Sequence, residues 1–147
     1  MPHVPNLIVT VDGAVTVHGR DLVLIRRAKP PFENVLVLPG GHVEPEDVTL
    51  AQACARELSE EINLSVEPDR LAFLVLLNRP DADERYDRRL SVVYRVDITD
   101  AELDRMRAGS DAAALEIVPV SSLTPDRVGF DHFEAVLALR ARMEEES

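Results

Sequence analysis

The chain has 147 residues, 46% of them hydrophobic and 29% charged, with a formal net charge of −11. That is the composition of one ordinary domain over residues 1–147, long enough to bury a core, and no apolar run approaches the roughly 20 residues of a membrane span. The acidic balance argues against a nucleic-acid polymer as partner, since surfaces that bind one are basic, but not against a small anionic ligand.

In chain order, Asn6 to Val17 is β-branched and alternating and predicts a strand, with Gly13 as a bulge or turn. His18 to Asp21 is a turn, Leu22 to Arg27 a second strand, and Ala28 to Asn34, with Pro30-Pro31, a loop. Val35 to Leu38 is a short buried strand ending at Pro39, before the Gly40-Gly41 turn. Thr49 is placed to cap a helix in which Leu50, Ala53, Cys54, Leu58 and Ile62 form the buried stripe. Cys54, the single cysteine, is a small core residue. With no internal disulfide to form and no basic-then-apolar leader at the N-terminus, the expected setting is reducing and cytoplasmic.

Leu71 to Asn78 is a near-continuous apolar run, the pattern of a strand covered on both faces. Arg79 to Arg88 is a charged loop, Leu90 to Ile98 an alternating strand, Asp100 to Leu115 an acidic, irregular stretch with at most a helical turn, and Glu116 to Val120 a strand. Asp131 to Met143 is an amphipathic helix with Asp131 as its cap and Phe133, Val136, Leu137 and Arg140 along one side. Glu144 to Glu146 opposes the helix dipole and is expected to fray. The predicted order is β-β-β-α-β-β-β-α, an α/β protein.

The chemistry concentrates in residues 40–64. On a helix, Glu57 and Glu61 lie one turn apart with Glu60 beside them, and like charges at that spacing destabilise the helix. A hard divalent cation relieves this, because it prefers carboxylate oxygens. Glu57 and Glu61 are the first-choice ligands and Glu60 the third. Mg²⁺ suits them, since it binds through few carboxylates while keeping waters and phosphate oxygens; Mn²⁺ is a substitute. Arg56 cannot ligate a metal and is expected to hold one of the glutamates by an ion pair.

Arg56-Glu57-Leu58-Ser59-Glu60-Glu61 after Gly40-Gly41 resembles the Nudix box of the Nudix hydrolases (MutT-like). The resemblance implies an α/β/α sandwich with a mixed sheet, a pyrophosphohydrolase acting on a small nucleotide, and a metal oxygen from the Gly41 carbonyl. Many members are homodimers, so a homodimer is expected on that ground alone. Two positions depart from the pattern. The interval before Arg56 holds one residue too many, leaving Glu46 or Asp47 for the first acid, and Asn63 stands where the family has glycine, a position of positive φ that asparagine also fills. Family members often recruit a further acid from outside the box; Glu102, Asp104, Asp111 and Glu116 qualify, and Glu116 is preferred as base or extra ligand.

Arg79 to Arg88, followed by Ser91-Val92-Val93-Tyr94, and Gly129-Phe130-Asp131-His132 are similar to segments of the ADP-ribose pyrophosphatase branch. Arg27, Arg79, Arg85 and Arg88 are the candidate grips for a diphosphate, with Phe130 or Tyr86 to stack on a base. The expected roles are then catalytic for Glu60, Glu61, Arg56 and Glu116, and metal-binding for Gly41, Glu57, Glu60 and Glu61. ADP-ribose is the favoured substrate. A nucleoside triphosphate is the rival, and a non-catalytic nucleotide sensor the alternative class, weakened by three intact carboxylates and by the lack of an appended DNA-binding segment.

Overall fold

The computed structural model describes residues 7–86, 88–109 and 112–147. Within them the chain forms β1 (Leu7–Val17), β2 (Asp21–Arg27), β3 (Leu36–Val37), β4 (Gly40–His42), α1 (Leu50–Ile62), β5 (Ala72–Leu77), β6 (Arg88–Ile98), α2 (Asp100–Arg105), β7 (Ala112–Pro119) and α3 (His132–Glu146). The sheet runs β3-β2-β1-β6-β5, with β4 added to β1 and β7 to β2. It is mixed: β1 and β6 pair in parallel along their whole length, from Leu7↔Arg88 to Val17↔Ile98, and the remaining pairings are antiparallel.

Alternation along β1 divides the core in two. Val11, Val15 and Val17 pack with Ala53, Cys54, Leu58 and Ile62 of α1. Ala14, with Val93 of β6, faces Ala135, Val136 and Leu139 of α3. Helices on both faces of a mixed sheet give the α/β/α sandwich. No helix among the described residues is long and apolar enough to cross a membrane.

One edge of β1 is shared between two strands. Val15 to Val17 pair with β2, while Thr10 to Asp12 pair with β4. Gly13 lies between them and is not a bulge. Its pairing with β6 is unbroken, and its N–H donates to the Pro39 carbonyl at 2.8 Å. A Cβ there would meet Leu58 Cδ2 at 2.7 Å, so glycine lets α1 pack directly on β1.

The structure departs from the predicted pattern elsewhere, each time for a physical reason. A fourth strand, β4, precedes α1, because the Gly-Gly segment approaches β1 closely. The β5 strand is a sheet edge with one wet face, where Phe73 and Leu76 are about half exposed, rather than doubly covered. Leu50 sits in the first turn of α1 and is exposed. Ser110 and Asp111 lie outside the described residues; before them the stretch forms α2, and after them β7 begins at Ala112, ahead of the expected Glu116. The α3 helix buries His132, Ala135, Val136 and Leu139 and leaves Leu137 half exposed. Its acidic end stays helical to Glu146, which accepts both Arg95 terminal nitrogens at 2.9 and 3.0 Å.

Candidate active site

The acids are delivered by α1. Thr49 and Gln52 form a reciprocal capping box, which fixes where the helix starts, and Asn63 ends it in the left-handed conformation at φ 56°. The Asn63 side chain donates to the Arg105 carbonyl at 2.8 Å, and the Gly109 N–H to the Glu61 carbonyl at 2.7 Å, so the segment after α2 is fastened to the end that carries the glutamates.

Arg56 organises them. Its Nη1 donates to Glu57 Oε1 at 2.9 Å and to Glu60 Oε2 at 3.2 Å, and its Nη2 to the His42 carbonyl at 3.0 Å. Asp47 takes the other edge of the guanidinium in a two-point contact at 3.1 and 2.9 Å. Between Glu46 and Asp47, it is therefore Asp47 that stands against the box arginine, while Glu46 is exposed. Arg56 holds the Asp47 carboxyl below its usual range. Burial pushes the Glu57 carboxyl up, against the pull of Arg56 and with help from Glu60 and Glu44. Gly41 crosses so close to Glu57 that a Cβ would lie 2.5 Å from its carboxylate.

The same cleft, about 500 Å³, continues to a cationic end. Arg27, Arg85 and Arg89 place their guanidinium carbons 5.1, 5.6 and 5.8 Å from the centroid of the Phe130 ring, a cation–π arrangement. Phe32 meets that ring edge-on at 4.9 Å. Asp83 orients Arg85 through bonds of 3.0 and 2.7 Å. Tyr86 reaches from the same loop to His42 Nε2 at 2.8 Å. The floor is polar: Asp12 accepts the Ser91 hydroxyl and faces His132 Nε2 at 3.6 Å, while His132 Nδ1 accepts the Leu38 N–H at 3.0 Å. That bond assigns the imidazole proton to Nε2, toward Asp12.

The sequence-predicted residues thus separate. Gly41, Glu57, Glu60, Glu61, Arg27, Arg85 and Phe130 line one cleft, with Arg56 behind the acids. Glu116 does not reach it; on β7 it pairs with Arg26 at 2.5 Å. Arg79 lies outside the lining, donating to the Phe130 carbonyl at 3.1 Å, and Arg88 is an exposed residue opening β6. Glu102 is tied to Arg70, Asp104 is exposed on α2, and Asp111 lies outside the described residues. Phe130 is ringed by guanidinium groups at the cationic end of the cleft. Asp12, Asp83, Arg89 and His132 were not singled out, although polar Asp12 and Ser91 within apolar strands, and the Phe130-Asp131-His132 run, were signals for them.

A NUDIX domain model matches residues 7–139. The chain belongs to the NUDIX family, that of the Nudix hydrolases. Solved structures share its fold. A MutT/nudix family protein from Enterococcus faecalis superposes with a TM-score of 0.83 at 22% identity, over 99% of this chain and 65% of that one. A bifunctional NMN adenylyltransferase/ADP ribose pyrophosphatase from Francisella tularensis, also solved complexed with AMP and a Mn ion, gives 0.77 at 28% identity, over 97% of this chain and 43% of that one. The NUDIX domain of Shewanella oneidensis NrtR, complexed with ADP ribose, gives 0.77 at 22%, over 92% and 88%. This Nudix chain therefore spans just under two thirds of the first protein and under half of the second. No curated protein matches it.

Nudix hydrolases use divalent metals, and the donors here suit one. Among the described residues no three acids, histidines or cysteines already surround an ion position; Glu57 and Glu60 are turned toward Arg56. Yet the carboxylate of Glu57 lies in the cradle that Gly41 leaves by having no side chain, and Glu60 and Glu61 line the same wall. Carboxylate and backbone oxygens in that arrangement fit a hard cation.

Proposed function

We propose that this Nudix hydrolase cleaves the phosphoanhydride of a nucleoside diphosphate linked to another group, with ADP-ribose as the favoured substrate and AMP and ribose 5-phosphate as products. The observation that carries this is the two-ended cleft, with the Glu57, Glu60 and Glu61 carboxylates on one wall and Arg27 and Arg85 at the other end. A substrate with a charged bridge between two bulky groups suits such a cleft. The activity and bound ligand named for the Francisella and Shewanella proteins support the same substrate class.

Glu57, Glu60, Glu61 and the Gly41 carbonyl would hold Mg²⁺, with Mn²⁺ as substitute, and the metal would supply charge neutralisation and an activated water. The chain's own groups do the rest. Arg56, itself set by Asp47, fixes Glu57 and Glu60. Arg27 and Arg85 hold the non-bridging phosphate oxygens. Glu60 or Glu61 takes the proton of the attacking water, whose oxygen bonds to phosphorus as the bridging P–O bond breaks. A reducing cytoplasm suits the free, buried Cys54.

The test is a panel of ADP-ribose, sugar nucleotides, dinucleoside polyphosphates and nucleoside triphosphates assayed with Mg²⁺. Highest kcat/KM on ADP-ribose, with AMP released, is expected. Preferred turnover of a triphosphate would transfer the assignment to that class, and tight binding without turnover would make the chain a sensor.

A further inference from the structure

Asp131 begins α3 without capping it; its side chain makes no hydrogen bond to the first helical amides. Its carboxylate is fully buried instead, paired with Arg89 Nη2 and accepting the Arg79 N–H at 3.4 Å. Arg89 is also buried, with its side chain 6% exposed. Removing two such charges from water is costly, and an apolar pair of similar volume is often as stable or more so. Declining the cap forgoes a further stabilising contact. Stability therefore gives no reason for this pair.

Its position does. Arg89 lines the cleft beside Phe130. Its Nε–H is buried and has no acceptor among the described residues, and the same holds for the hydroxyl of Thr10, another lining residue. The parallel register of β1 and β6, with Ile8 opposite Arg89 and Thr10 opposite Ser91, makes Thr10 and Arg89 neighbours on one sheet face. A buried polar atom without a partner is destabilising, and a ligand that hydrogen-bonds both atoms removes that cost. Charge points the same way. Arg27, Arg85 and Arg89 gather around one ring, with Arg85 held by Asp83 and Arg89 by Asp131.

We propose that Arg89 is a specificity-determining contact for the anionic part of a nucleoside diphosphate, and that Asp131 is the positioning residue that holds its guanidinium in place. This rests on the cleft being a nucleoside-diphosphate site and names the buried grip within it. The planar fork of Arg89 matches a phosphate better than an ammonium does.

The experiment measures ADP binding by calorimetry in EDTA, so that only the cationic end is probed, alongside Tm. Arg89→Met combined with Asp131→Leu replaces the pair with apolar side chains and removes both charges. It is expected to keep the wild-type Tm or exceed it while binding ADP about tenfold or more weakly, and Arg89→Lys to weaken binding by a similar factor with its charge retained. On whichever compound the wild type hydrolyses, KM should rise in the double variant with kcat within about threefold, a split that a purely structural pair would not produce. Wild-type ADP affinity in the double variant would overturn the proposal, as would a wild type that does not bind ADP. Should the double variant not fold, Arg89→Lys decides, and unchanged ADP affinity there overturns it. If the wild type binds ADP but does not hydrolyse ADP-ribose, the proposed activity falls while this assignment stands.

Discussion

Asp47 grips the Nε and Nη2 edge of Arg56, nine residues ahead of it, leaving Nη1 to hold Glu57 and Glu60. Of Glu46 and Asp47, the one whose carboxylate reaches the arginine is Asp47. Removing a group that orients metal ligands costs about 10–100-fold in activity. Asp47→Asn should lose that much kcat/KM on the best substrate of the panel, while Glu46→Gln stays near wild type. Equal losses in both would show that Asp47 has no special place.

Glu61 tests the acid wall itself. Glu61→Gln removes a charge at the cleft with little change in shape. Turnover should fall about 10²–10³-fold, the scale of losing one preorganised stabiliser of developing charge. An unchanged rate at saturating Mg²⁺ would remove Glu61 from the ligand set.

Gly41 has no room for a side chain, since a Cβ would lie 2.5 Å from the Glu57 carboxylate. Gly41→Ala should displace that carboxylate and weaken Mg²⁺ activation about tenfold or more, as misplaced ligand geometry does. A Mg²⁺ titration of activity reads it, and wild-type Mg²⁺ dependence would contradict the cradle.

Gly13 tests the fold alone. Alanine would press on the fully buried Leu58, which has no solvent side to retreat to. Overpacking of this kind costs about 1–3 kcal/mol, so Gly13→Ala should lower Tm by about 3–10 °C. A Tm at or above wild type would show that α1 yields at this point.

Glu102 gives a pH signature. Arg70 binds it in a fork at 2.6 and 3.1 Å, and Thr99 completes the cap of α2, so the carboxyl is pulled down to about 2. A carboxyl depressed in the folded state stabilises above its ordinary value of 4.5, and that stabilisation disappears as pH falls toward 2. With Arg70 partly exposed, solvent screening limits the contribution to about 0.5–1 kcal/mol. Glu102→Gln should be less stable than wild type by that amount at pH 7, and the gap should close between about pH 4.5 and 2. A gap independent of pH would mean that the pair contributes nothing electrostatic.

The helix that carries the acids was legible because its information is local. Charge spacing, a capping threonine and a left-handed asparagine all lie within one short segment. The same holds for the strands around it, whose β-branched alternation is a property of each strand alone. The cationic end and floor were harder, since Asp12, Arg89 and His132 come from separate elements that meet only after β1 and β6 pair. Asp131 shows the limit most clearly. Its place before an amphipathic helix reads as a cap, and only the buried arginine across the fold explains why its side chain turns away. Gly13 and β5 failed similarly: a glycine demanded by a neighbouring helix resembles a bulge, and an apolar edge strand resembles a central one.

Cys54 is fully buried where α1 meets the sheet, and burial pushes its thiol up to about 12. Only the thiolate reacts readily, so in the closed protein at neutral pH the sulfur is shielded from reagent and chemically quiet. Alkylation must wait until α1 lifts. Cys54 sits two residues before Arg56 on the same helix, so its labelling rate counts how often the acid-bearing platform leaves its seat. The chain carries an intrinsic reporter for the opening of its own acid-bearing helix.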